Sequence, residues 1–338
     1  MPGYSSRALV TGAAGFLGFH LARALASRPD FEVICVDNFV RGTADASWLE
    51  LASKPNVHVV QMDLGAPANY ISLPQDVDYV YHLAALNGTQ NFYERPMDVL
   101  RSCTLPTMFL VDHFKGQKRL KRFLYAGTSE AYASTVTRFG WTVPTGEDVP
   151  LSIDDVFNPR WSYAASKMHG EVVCAQASRQ FGYESTIIRY HNAYGPRMGD
   201  KHVVPDFFER MRRGEYVLHG FADTRSFIYV DDAVRATILL AETSAAAGQV
   251  VNVGSADEMT IHDLGRAMMA TRGVEAPIEL LPSPQGSVRR RAPSIDKLIR
   301  LTNFEAKVSL EEGLAVTADY YLDGKMCGPL KPDVHLGI

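Results

Sequence analysis

The sequence predicts an α/β protein built on a doubly wound parallel sheet, with a smaller, discontinuous C-terminal lobe over the carboxyl ends of the strands. Three observations carry this. Short β-rich apolar runs recur through residue 254, the spacers between them are long enough for helices, and the runs are apolar on both faces. The expected strands are "RALVT" (7–11), "EVICVD" (32–37), "VHVVQMD" (57–63), "DYVYHLA" (78–84), "RFLYAG" (122–127), "STIIRY" (185–190) and "VVNVG" (250–254). After residue 190 the rhythm loosens into a Pro- and Gly-punctuated region, and "FIYVDDAVRATILLAE" then reads as a return to strand and helix beside the sheet. The division expected is a sheet domain over 1–190 plus about 229–255, and a lobe over 191–228 plus 256–338. No repeat or low-complexity segment interrupts it.

The whole chain sets bounds. Its 338 residues suffice for a large core without external staples, and 46% hydrophobic with 21% charged residues is a globular composition. A net charge of −4 offers no general attraction to nucleic acid or anionic lipid. The basic run "KGQKRLKR" (115–122) reads as a solvated helix end and loop before a buried strand, whereas "RRR" (289–291) suits an anion. Cys35, Cys103, Cys174 and Cys327 are far apart, with no zinc spacing, and no histidine pair has ligand spacing, so neither disulfide nor metal is expected. No signal peptide and no run of about 20 apolar residues is present, which makes cytoplasm the expected location and membrane an unexpected partner.

At the first strand, "RALVTGAAGFLGFHLARAL" passes into Gly12, Gly15 and Gly18, with Phe16 and Leu17 between them, and then into an amphipathic helix. Such glycines permit a tight turn and let backbone N–H groups approach a pyrophosphate at the helix N-terminus. A glycine triplet alone is weak evidence. Here it joins a strand to a helix, and Asp37, followed by Asn38, ends the next strand, so the context of a dinucleotide site is met. Asp37 would accept from the adenosine ribose and repel a 2′-phosphate, which favours NAD over NADP; Arg41 weakens that preference. Asp63 and Leu64, past the third strand, fall where an adenine would lie, or form an ordinary turn.

"RWSYAASKMHGE" (160–171) puts Tyr163 and Lys167 on one face of a helix. The spacing recurs at Tyr321 and Lys325, so it decides nothing by itself. Company decides. "YAGTSEAYA" (125–133) follows the fifth strand and would project Thr128, Ser129 and Glu130 into the same crevice as Tyr163, whereas Tyr321 and Lys325 have no upstream hydroxyl triplet and lie beyond the last recognisable element. The glycines, Asp37, "HLAA" (82–85), "TSEAY" and "YAASK", in this order, resemble the extended short-chain dehydrogenase/reductase family of nucleotide-sugar epimerases and dehydratases. The likeness runs on through "NAYGPR" (192–197), "TRSFIYVDD" (224–232) and "RRRAPSIDKLIRLTNFEAKVSLEEGL" (289–314).

That resemblance implies a Rossmann domain binding NAD, with Leu83, Ala84 and Ala85 beside the cofactor. It implies a dimer through the two long helices after "HLAA" and around Tyr163. It also implies transient oxidation of a sugar C4 in a nucleotide-diphospho-sugar. Tyr163 takes the 4-hydroxyl proton, the Lys167 ammonium and a cationic nicotinamide favour its phenolate, and Thr128 bonds the same oxygen. With C4 a ketone, the C5 proton becomes acidic and Glu130 can remove it, assisted by Ser129. In the family, simple 4-epimerases carry small residues at that place, and 4,6-dehydratases and uronate decarboxylases carry Glu. Dehydration or decarboxylation is therefore expected ahead of 4-epimerisation. Asn87, Asn192, Arg197, Arg225 and one of Arg289 or Arg291 are expected near the nucleotide and diphosphate, where arginine forks suit phosphate oxygens. Arg291 also matches the place at which decarboxylases hold a uronate carboxylate, and His191 stands where relatives usually carry an aromatic ring. The competing readings are a net NAD(P)-dependent oxidoreductase and a dinucleotide-binding regulator without catalysis.

Overall fold

Strand β1 (Ser6–Thr11) pairs in parallel with β2 (Phe31–Asp37) on one side and β4 (Tyr79–His82) on the other, and every residue of it but Arg7 is buried. In the computed structural model, which describes residues 4–199, 202–283 and 288–327, this central pair grows into a seven-stranded parallel sheet. Its order is β11-β6-β5-β4-β1-β2-β3, with β3 (Val57–Gln61), β5 (Arg122–Thr128), β6 (Ser185–Tyr190) and β11 (Gln249–Val253). All seven expected strands are present. The order reverses between β1 and β4, so the loops after those strands part and leave a crevice, as doubly wound sheets do at their switch point. β3 departs from the both-faces-buried expectation: only Val57 is buried, because an edge strand has solvent along one side.

The helices cover the sheet. α1 (Phe16–Ala26) and α2 (Ala46–Ala52) follow β1 and β2; α3 (Thr89–Glu94) leads into α4 (Pro96–His113), which packs along α6 (Trp161–Phe181). Between those two, a 3-10 turn (Ser129–Tyr132) and α5 (Ala133–Phe139) continue from β5. The basic run 115–122 follows α4, but it is tied down: Arg119 and Lys121 pair with Asp78, and Arg122 opens β5 with its guanidinium on Thr186 Oγ1 at 2.7 Å.

Past β6 the chain builds small sheets. β7 (Ala193–Tyr194) pairs with β10 (Ile228–Tyr229), and β8 (Val217–His219) with β13 (Glu279–Leu281). β9 (Thr224–Ser226) lies between β12 (Glu258–Thr260) and β14 (Arg290–Arg291). α7 (Val203–Arg212), α9 (Ile261–Ala270), α10 (Asp296–Thr302) and α11 (Leu310–Asp323) accompany them. α8 (Val230–Glu242) returns against α1, β5 and β6, as "FIYVDDAVRATILLAE" implied, but its leading strand pairs with β7 rather than with the main sheet. α11 includes Tyr321, so the expectation that this tyrosine lies beyond the last element fails; residues 328–338 lie outside the described residues. Among the described residues no helix is long and apolar enough to cross a membrane.

Candidate active site

A cleft of about 890 Å³ opens at the carboxyl ends of the strands. At one end is the glycine turn. Gly12 has φ +69, and a Cβ there would meet the Ala84 backbone nitrogen at 2.9 Å; a Cβ on Gly18 would lie 2.0 Å from the Gly12 carbonyl oxygen. Side chains are excluded on both counts, and the backbone folds tightly enough to begin α1 at Phe16 with open N–H groups. Asp37 fixes this turn to the tip of β2, accepting from Ala14 N at 2.9 Å and from Phe39 N at 2.8 Å. Asn38, Leu83, Ala84, Ala85, Asp63 and Leu64 line the same end, with Asp63 Oδ1 accepting from Gly65 N at 2.8 Å in a turn. Thr11 Oγ1 accepts from Leu83 N and Ala84 N and bonds His82, whose other ring nitrogen meets Thr107. That chain of contacts sets the height of "HLAA" beside the glycines.

Tyr163 and Lys167 face the middle of the cleft from α6, both buried. Lys167 Nζ donates to the Ala126 carbonyl oxygen on β5 at 2.8 Å, 5.8 Å from the centre of the Tyr163 ring. Phe92 stacks on the Tyr163 ring at 4.9 Å and 13°, and Leu86, Val99 and Cys103 complete an apolar cluster around them. Burial pushes the phenol far above its ordinary value; Cys103 and Glu130 push the same way, and Arg41 and a hydrogen bond with Thr128 pull back only partly. The phenolate read from the sequence rests on the cationic nicotinamide as well as on Lys167, whose ammonium here donates to a carbonyl. Burial also lowers Lys167 from its ordinary value.

Thr128 ends β5, and Ser129 and Glu130 continue it into the cleft, the Thr128 hydroxyl capping the turn by accepting from Glu130 N at 3.2 Å. Glu130 is held between two arginines. Its Oε1 accepts from Arg291 Nη1 at 2.7 Å and its Oε2 from Arg160 Nη2 at 3.3 Å. Burial raises the carboxyl, but Arg291, Arg160 and Arg225 outweigh it and hold Glu130 below its ordinary range, so it is ionised at neutral pH. Behind the turn, Arg189 grips Glu171 with two bonds of 2.9 and 2.6 Å and donates to Tyr132, which donates to Asn252. His191 stacks on Tyr132 at 5.8 Å in the place of the expected aromatic ring.

The substrate arginines sort differently from expectation. In β14 successive side chains alternate: Arg290 points out to Glu258, and Arg291 points in to Glu130. Arg289 is exposed, and its carbonyl accepts from Thr224 N at 2.9 Å and from Arg225 Nη1 at 3.3 Å; of the two candidates it is Arg291 that lines the cleft. Arg225 is half-buried, donating to the Thr224 carbonyl at 2.7 Å, and desolvation with Arg291 nearby lowers it to about 10. Arg197 also lines the cleft; its guanidinium sits 4.2 Å over the Phe19 ring, pairs with Asp45 and donates to the carbonyls of Ala14 and Thr43, which ties it to the glycine-turn end. Asn87 and Asn192 line the cleft, Asn192 at φ 37 with its amide on the Ser226 carbonyl. Tyr321 also lines it and donates to the Met198 carbonyl, while Lys325 pairs with Asp319 and Asp323, so that second pair is not a unit. Arg160 and Phe92 were missed. Arg160 stands one helical turn before Tyr163, which was a legible signal for a shared face; nothing local marked Phe92.

A glycine cradle, an acidic strand tip and a buried Tyr/Lys pair in one cleft define a site for a dinucleotide and a second ligand. The family model described as "NAD dependent epimerase/dehydratase family" matches residues 8–254, and the chain belongs to that family. Over 327 residues it is 32% identical to the UDP-N-acetyl-alpha-D-glucosaminuronate decarboxylase of Bacillus cytotoxicus, covering 93% of this chain and 97% of that one. It is 31% identical to UDP-glucuronic acid decarboxylase 1 of Danio rerio, covering 93% of this chain and 72% of the relative. Among solved structures, a UDP-glucuronic acid 4-epimerase from Bacillus cereus, in complex with NAD and a fluorinated UDP-glucuronic acid, superposes with a TM-score of 0.83 at 26% identity, covering 94% and 99% of the two chains. The residues fit the cofactor: Gly12, Gly15 and Gly18 leave backbone exposed that would receive the pyrophosphate, and Asp37 and the Lys167 and Tyr163 pair line the same cleft, where they would meet the ribose and the nicotinamide. Among the described residues no cluster could hold a metal ion.

Proposed function

We propose that the chain decarboxylates a UDP-linked uronic acid by way of a C4 ketone. The observation that carries this is Arg291, bonded at 2.7 Å to a carboxylate inside the cleft that holds Tyr163 and Lys167. The names of the two curated relatives above support it. When bound, NAD supplies a hydride acceptor at sugar C4 and returns the hydride later, so no net redox change results. Tyr163 takes the proton of the 4-hydroxyl and gives it back, with Thr128 on the same oxygen and Lys167 one turn away. The C4 ketone lies β to the C6 carboxylate, so the C5–C6 bond breaks with its electrons delocalised into the ketone, carbon dioxide leaves, and C5 takes up a proton. Arg291 holds the carboxylate before it leaves. Glu130 and Ser129 act at C5, Glu130 as the base if water is lost instead.

Asn87 and Asn192 serve the substrate from the cleft wall, and Arg225 supports Arg291 from behind. The sheet domain over 1–190 plus about 229–255 holds the cofactor, and the lobe over 191–228 plus 256–338 holds the nucleotide sugar. A homodimer forms through α4 and α6, a reading supported by the exposed Met97, Leu105, Met108 and Val172 on those helices. The location is the cytoplasm, in keeping with four unpaired cysteines.

The test is to incubate the protein and NAD with UDP-glucuronate, UDP-N-acetylglucosaminuronate or UDP-glucose and weigh the products. Loss of carbon dioxide from a uronate supports the proposal. Loss of water means dehydration, an isomer of unchanged mass means 4-epimerisation, and either would overturn it.

A further inference from the structure

Glu130 is bonded in an unusual manner for a carboxylate among arginines. It offers one oxygen to each of two guanidinium groups, at 2.7 Å to Arg291 and 3.3 Å to Arg160, instead of the paired fork that Arg189 makes with Glu171 nearby. Arg291 is bound through a single nitrogen, and its Nε is buried with no hydrogen-bond partner. A carboxylate held by one bond each way, beside an arginine with a spare buried donor, is the weaker of two arrangements open to these groups. Three arginines, Arg160, Arg225 and Arg291, lower Glu130, while Arg225 faces Asp223 at 3.8 Å, so the cluster carries one more positive than negative charge. A third carboxylate would balance it.

We infer that Glu130 is a stand-in for a substrate carboxylate on Arg291, and that Arg160 is the positioning residue that keeps Glu130 ionised and in place when the substrate claims Arg291. This rests on the proposed uronate reading and goes beyond it, because it assigns Arg160 a role and makes selection of carboxylated sugars an exchange. A uronate gives Arg291 a full fork in return for the single bond to Glu130. A neutral hexose gives nothing, and Glu130 stays where it is. Without Arg160, Glu130 would have to be released with no partner in a pocket where burial alone raises its carboxyl, so it would take up a proton instead.

The experiment uses the NAD-loaded protein carrying Tyr163→Phe to prevent turnover, with UDP-glucuronate and UDP-glucose titrated by calorimetry in two buffers of different ionisation enthalpy. Adding Glu130→Gln should tighten UDP-glucuronate several-fold relative to UDP-glucose. Adding Arg160→Gln should weaken UDP-glucuronate about tenfold, roughly 1.4 kcal/mol, with uptake of up to one proton on binding. Arg160→Lys should recover most of that affinity, and Arg160→Gln with Glu130→Gln should bind as Glu130→Gln does. If UDP-glucuronate binds better than UDP-glucose but Glu130→Gln does not tighten it, or Arg160→Gln weakens it without proton uptake, the exchange is overturned and the uronate reading stands. If neither form prefers UDP-glucuronate, both fall.

Discussion

A Cβ atom on Gly170 would stand 2.0 Å from the hydroxyl of Tyr125 and 2.4 Å from the ring carbon that bears it. Helix α6 therefore lies on strand β5 closer than any side chain at this place permits. One turn earlier on the same helix, Lys167 reaches the Ala126 carbonyl next to Tyr125. Gly170→Ala must push α6 away from the sheet, at a cost of roughly 1–3 kcal/mol for overpacking. Thermal unfolding should show the loss of stability, and turnover should fall further than the folded fraction accounts for. A variant with unchanged Tm would show that the helix can move freely.

Tyr163→Phe keeps the ring stacked on Phe92 and removes only the hydroxyl. Loss of acid–base catalysis at C4 should lower kcat by roughly 10²- to 10⁴-fold. NAD extracted from the purified variant should match the wild-type amount, since the glycine turn and Asp37 are untouched. Retention of full activity would remove Tyr163 from the chemistry.

Arg197→Ala separates two placements of one guanidinium. The structure ties Arg197 to Asp45, the carbonyls of Ala14 and Thr43 and the face of Phe19, all at the glycine-turn end. The expected result is weaker NAD retention, by several-fold, with the affinity of the NAD-saturated protein for UDP-glucuronate little changed. A selective loss of nucleotide-sugar affinity would restore the diphosphate role read from the sequence.

Stability should fall as the pH drops below about 6.5. Burial, with Lys167 nearby, lowers His82 to about 3; burial, with Arg291 and Arg189 nearby, lowers His191 to about 3 despite its bond to Asn252. Both are neutral in either state above the unfolded value of about 6.5. Between there and about 3 the unfolded chain binds protons that the folded chain refuses, so stability is lost as pH falls. Each histidine contributes on the order of 1–2 kcal/mol of loss by pH 5. Denaturant midpoints between pH 7.5 and pH 5 measure this. His191→Phe keeps a ring on Tyr132 and should flatten the slope by about one proton; an unchanged slope would mean that His191 does protonate in place.

Local pattern was enough for the sheet and for the ends of the cleft. Apolar runs of strand length, spaced by helix-length segments, located all seven strands of the main sheet, because burial on both faces leaves a mark on every residue of a central strand. β3 showed the limit, since an edge strand is only half covered. The Tyr163 and Lys167 pair and the triplet Thr128, Ser129 and Glu130 were legible because each is local and lies at the end of a recognisable element.

Spacings of a few residues are enough to specify a doubly wound sheet, the glycine turn and the residues that converge on its crevice. The arginines are told apart by packing alone. Three in a row at 289–291 look alike until β14 takes its register on β9 and alternation sends Arg290 outward and Arg291 toward Glu130, 161 residues away along the chain. The same holds for Arg197, whose partners lie at the glycine turn and after β2, and for Arg160, whose meaning comes from Glu130. A charge takes its role from the charge it meets, and that meeting is set by packing between elements distant in sequence.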